Sequence, residues 1–160
     1  IRMFSLKTAL FTVLLNNSNN FGKGKIMVEI KGYKINKIEV ENKVQPGTQL
    51  KLQNQVKYNV NYMDDVKKCI GILEFRISDA ELNPFEVKIE MAAEFTYGDG
   101  DERAEIHTTS FDQLFPFLRM TVNNATALTG MPGLMIPMLK LNKETVTVNS
   151  AEKKEESPLN

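Results

Sequence analysis

Over residues 85–97 apolar and polar positions alternate: Phe85, Val87, Ile89, Met91, Ala93 and Phe95 fall on one face, and Glu86, Lys88, Glu90 and Glu94 on the other. A strict period of two over this length predicts a β-strand with one buried and one wetter face, as in an antiparallel sheet. Leu73, Phe75 and Ile77 alternate with Glu74 and Arg76, and Asn83-Pro84 supplies a turn before the long strand, so the two are expected to form a hairpin. Upstream, Val56, Tyr58, Val60 and Tyr62 alternate with Lys57, Asn59 and Asn61, while residues 28–40 carry a broken version of the pattern. Pro46-Gly47 separates these two as a turn. Four strands are therefore expected ahead of any long helix.

The period then changes. Leu114, Phe117, Leu118, Val122, Ala125 and Leu128 recur at spacings of three and four, the signature of an amphipathic helix. Proline is best tolerated at the first position of a helix, so Pro116 predicts a start near Phe115, with residues 110–114 as a lead-in turn. Gly130, followed by Pro132 and Gly133, predicts the helix end. Residues 134–141, Leu-Met-Ile-Pro-Met-Leu-Lys-Leu, are nearly all apolar yet broken by Pro137, which predicts an extended segment laid over another surface. Residues 142–160 are polar and are expected to form a disordered tail.

Composition narrows what these elements can do. The 160 residues suit one domain, and 20 basic residues balance 20 acidic ones, so no global field steers the chain to nucleic acid or anionic lipid. No apolar run approaches the ~20 residues of a membrane helix. The single cysteine excludes an internal disulfide and fits a reducing compartment, which predicts a cytoplasmic location. Arg2, Lys7 and the apolar run at 9–15 look like a short signal peptide, but residues 16–20 offer no small-x-small cleavage site. Codons for Gly22-Lys23-Gly24-Lys25 are necessarily purine-rich, like a ribosome-binding site. Residues 1–26 are thus expected to be leader or a poorly ordered N-terminal extension, with either Met27 or Ile1 as the first residue of the protein.

Catalytic chemistry finds little support. One histidine, His107, and one cysteine, Cys69, cannot supply a structural zinc site, and no flanking motif marks them as a nucleophile and its base. Asp99 and Asp101 lie in a glycine-rich turn lacking the other ligand positions of a calcium loop. The expectation is a binding protein, with no enzyme activity, metal or cofactor. Met120, Met131, Met135 and Met138, half of the chain's eight methionines, gather beside Phe115, Phe117, Leu134, Ile136 and Leu139. Flexible thioethers let one surface repack around different partners.

Leu114-Phe115-Pro116-Phe117-Leu118-Arg119 resembles the Leu-Phe-Pro-Tyr-Ala-Arg opening of the main helix in SecB, the bacterial protein-export chaperone. Gly130-Met131-Pro132 and Ile136-Pro137 follow at spacings similar to that family's Gly-x-Pro turn and crossover segment, behind the same order of strands. The resemblance implies an α+β, SecB-like domain over residues 27–141: a four-stranded antiparallel sheet, one long helix and a Pro-containing crossover, assembling as a homotetramer, a dimer of dimers. It implies an ATP-independent holdase whose clients are unfolded polypeptides or preproteins, with SecA or an antitoxin as further partners. Leu134, Met135, Ile136, Met138 and Leu139 would line the client groove. Phe115, Pro116, Phe117, Arg119 and Met120 would serve helix packing and subunit contact. Two departures set this chain apart: residues 142–148 read as polar strand or coil where SecB has a second helix, and residues 150–160 do not match the SecA-docking end. The competing reading is an adaptor or structural module that uses the same surface for one dedicated partner, such as an antitoxin.

Overall fold

The computed structural model describes residues 27–142; the expected leader at 1–26 and the polar tail beyond 142 lie outside the described residues. Four strands, β1 (Glu29–Asn42), β2 (Leu52–Met63), β3 (Lys68–Asp79) and β4 (Phe85–Thr96), form an antiparallel sheet in the order β1-β4-β3-β2. The expected hairpin is β3–β4, which pairs Leu73 with Met91, Phe75 with Ile89 and Ile77 with Val87. Its alternating residues Phe75, Ile77, Val87, Ile89, Met91 and Phe95 are all buried on one face. The opposite face carries ion pairs instead, among them Arg76–Glu86 and Lys68–Glu94.

The broken pattern of β1 has a definite cause. Its register against β4 shifts between Ile30 and Gly32 and again between Ile35 and Lys37. Each shift is a β-bulge, which inserts one residue and returns the following side chains to the face they would otherwise leave. Ile30, Tyr33, Ile35, Ile38 and Val40 therefore stand opposite Phe95, Ala93, Met91, Ile89 and Val87, all of them core residues. Spacings of three, two, three and two in the sequence become a single face in the sheet.

One long helix, α1 (Arg103–Ala127), packs on that face. It begins well before Phe115, so the expected lead-in turn at 110–114 is helical and Pro116 lies inside the helix. Two features conceal the first half in the sequence. Thr108 and Ser110 occupy buried positions where apolar residues would be sought; their hydroxyls bond back to Ala104 O (3.0 Å) and His107 O (3.1 Å). Pro116, for its part, is exposed, and so is Asp112, whose carbonyl loses its amide partner to the proline ring. Water can satisfy that carbonyl, so the break costs less than it would in a buried turn. Ile106, Phe111, Leu114, Phe115, Leu118 and Val122 form the buried stripe of α1. The helix ends at Ala127, and Gly130 takes up the left-handed backbone (φ 84°) that releases the chain, as the sequence predicts.

Short polar clamps close the ends of the sheet. Asp79 Oδ2 accepts the amides of Glu81 (3.0 Å) and Asn83 (3.1 Å) and the side-chain amide of Asn83 (2.8 Å), while its Oδ1 accepts the amide of Lys51 (2.6 Å). One carboxylate thus shapes the β3–β4 turn and ties it to the entrance of β2. At the other end Asp64 accepts the Tyr97 hydroxyl (2.7 Å) and pairs with Arg103 (2.7 Å), fastening the β2–β3 connection to the start of α1. The glycine-rich loop at 98–101 is a turn, with Asp101 Oδ2 accepting the amides of Gly98 (2.8 Å) and Met27 (3.1 Å).

Candidate functional site

Beyond the helix, residues 131–141 form a strap without regular secondary structure. Leu134, Ile136, Leu139 and Leu141 turn toward the core, while Met135, Pro137, Met138 and Lys140 are exposed. The doubled outward step at Pro137-Met138 keeps both apolar pairs facing inward. Ile136 is the one strap residue that is fully inserted, at 4% exposure, and it joins the cluster containing Phe75, Phe111, Leu118 and Val122. Burying such a side chain contributes about 1.5–3 kcal/mol.

A stripe of polar residues on α1 holds the strap. Arg119, Asn123 and Thr126 stand at i, i+4 and i+7, on one side of the helix. Arg119 Nε donates to the carbonyl of Ile136 (2.7 Å), Asn123 Nδ2 to that of Leu134 (3.4 Å), and Thr126 Oγ1 accepts the amide of Leu134 (2.9 Å). Asn123 Nδ2 also approaches Met135 Sδ (3.3 Å). Gly133 is a glycine for a steric reason: a Cβ there would stand 2.6 Å from Asn123 Nδ2 and 2.9 Å from the Asn123 carbonyl. The missing side chain lets the strap close on the helix.

The residues singled out in the sequence are distributed unevenly around this assembly. Met135 (74% exposed) and Met138 (48%) present their thioethers to solvent, Leu134 and Leu139 are half-buried, and Ile136 is inside. Of the helix group, Phe115 is fully buried and stacks on Phe111 (5.1 Å), and Phe117 lies against Tyr33 (4.4 Å). Pro116 and Met120 are on the surface. Asn123 and Thr126 were not foreseen; the visible signal is a polar i, i+4, i+7 stripe beside the apolar one.

The residues considered for catalysis are placed differently. Cys69 is fully buried, and burial pushes its thiol up to about 11, so it stays protonated. His107 is half-buried, with its pKa lowered by that burial, and meets the ring of Tyr58 edge-on at 5.0 Å. No hydrogen bond joins the two among the described residues. Tyr58 donates instead to Ser110 Oγ (2.8 Å). No group of three or more His, Cys, Asp or Glu among the described residues is arranged to hold a metal ion, and no described helix is long and apolar enough to cross a membrane.

No protein-family model matches the sequence, and no curated protein matches it. Solved structures do match. A SecB-like chaperone of Mycobacterium tuberculosis, in complex with a ChAD peptide from the HigA1 antitoxin, superposes with a TM-score of 0.61 over 71% of this chain and 91% of that one. This chain has the SecB-like fold. At 17% identity the likeness is one of fold, carried by the four-stranded antiparallel sheet and the long helix. A protein of unknown function from Streptococcus agalactiae matches at a TM-score of 0.49 and 12% identity, over 72% of this chain and 100% of that one. The Pro-containing segment expected after the helix is the strap at 131–141.

Proposed function

We propose that the chain is a cytoplasmic, ATP-independent holdase that binds unfolded or extended polypeptide at the strap and the surface around it, without enzymatic activity or cofactor. The observation that carries this reading is the strap itself: an irregular apolar segment on a SecB-like fold, with Met135 and Met138 turned to solvent. An exposed apolar patch on a folded domain marks an interaction surface, and thioethers adapt to clients of differing shape. Ile35 and Ile38 on β1 and Met120 on α1 are also exposed, which supports association of copies into a homotetramer through these elements. Client delivery to SecA for export belongs to the same proposal.

The test is suppression of aggregation. The purified protein should keep an unfolded client soluble without nucleotide, and Met135→Asp combined with Met138→Asp should weaken this while circular dichroism stays unchanged. Absence of suppression at a molar excess would count against the reading. The complex of the Mycobacterium tuberculosis chaperone with an antitoxin peptide favours a second reading, an adaptor dedicated to one partner such as an antitoxin. A single stoichiometric partner in a pull-down, with indifference to unfolded clients, would select it.

A further inference from the structure

The hydrogen bonds that hold the strap address its main chain. Arg119 and Asn123 take the carbonyls of Ile136 and Leu134, and Thr126 takes the Leu134 amide. Apart from the Met135 sulfur, none of them depends on which side chains the strap carries. The spacing suits an extended segment. Residues four apart on a helix are separated by about 6 Å along its axis. Residues two apart on an extended chain are separated by about 6.6 Å. Arg119 and Asn123 therefore match alternate carbonyls of any extended chain running against the helix. A single buried aliphatic side chain, Ile136, completes the fit.

Two glycines lie where the strap leaves the helix. Gly130 has a left-handed backbone that glycine adopts without strain, and Gly133 lies directly against Asn123. Among the described residues no strand pairs with the strap, so its removal breaks no ladder of the described sheet.

We propose that Arg119, Asn123 and Thr126 form a peptide seat that the chain fills with its own strap, and that an extended apolar segment of a client takes the same seat after the strap swings out about Gly130. The client's carbonyls lie on Arg119 and Asn123, its amide on Thr126, and an aliphatic side chain replaces that of Ile136. This rests on the polypeptide-binding reading and adds where the client lies and what competes with it. In consequence Ile136 opposes client binding.

A labelled peptide of sequence 131–141 tests this, with anisotropy as the readout. Ile136→Ala should bind it at least about tenfold more tightly than the unmodified protein, since apparent affinity rises with the fraction of molecules whose seat is open. Equal or weaker binding by a folded variant overturns the proposal. Should the variant not fold, amide exchange in the 15N-labelled unmodified protein decides. Saturating unlabelled peptide should accelerate exchange of the Leu134 amide; unchanged or slower exchange, with peptide bound, overturns the displaced strap alone. Absence of peptide binding to both proteins overturns the polypeptide-binding reading along with it.

Discussion

Arg119 on the helix and Ile136 on the strap are seventeen residues apart in sequence and joined by a 2.7 Å hydrogen bond from Nε to the main-chain carbonyl. The donor is charged and the pair is partly buried, so the bond belongs to the stronger kind, worth about 1.5–3 kcal/mol. Arg119→Ala should lower stability by that order in urea unfolding with an unchanged slope, and should raise amide exchange across residues 131–141 before any other segment.

Gly71 lies under the ring of Tyr58. A Cβ at that position would stand 2.2 Å from the Tyr58 hydroxyl, which donates to Ser110 Oγ. Gly71→Ala must therefore push the ring off its helix partner, and overpacking of this kind costs about 1–3 kcal/mol. The expected result is a lower thermal midpoint and a change in the near-ultraviolet signal of the tyrosines.

Asp79 supplies an acid-sensitive clamp. Burial pushes its carboxyl upward, but the amides of Asn83, Lys51 and Glu81 and the Asn83 side chain outweigh this and hold it below its ordinary value of 3.8. A carboxylate depressed in the folded state adds stability above its unfolded pKa and loses that contribution as pH falls through the folded value. Stability should therefore drop from pH 3.8 downward, and Asp79→Asn should flatten this part of the profile, as read by urea midpoints measured across the acid range.

Leu82, at the tip of the β3–β4 turn, has φ 62° and is 92% exposed. It bears the steric cost of a left-handed residue with a bulky side chain and no packing to offset it. Leu82→Gly should leave the fold intact and raise stability by up to about 1 kcal/mol, a shift measurable in the thermal midpoint.

How far the sequence could be read follows from where polar residues sit. β4 was legible because its wet face carries Glu86, Lys88, Glu90 and Glu94, so period two is unmistakable. β1 was legible only in fragments, since bulges at two places changed the spacing of Ile30, Tyr33, Ile35 and Ile38 without changing their face. The helix start was misplaced because buried Thr108 and Ser110 look like surface residues until their hydroxyls are seen bonding to the preceding turn, and because an exposed proline is compatible with a helix interior. The strap was found from its composition and its prolines. Its seat was not, because Asn123 and Thr126 act on main-chain atoms, and nothing in the sequence of the strap corresponds to them.

The turn at 128–130 is short, and it keeps the strap tethered beside its own helix. A tethered segment of this kind competes at an effective concentration of about millimolar. On the proposed exchange, a rival segment must be either abundant or markedly more adhesive than the resident one, so tether length would set the threshold that any competitor has to exceed.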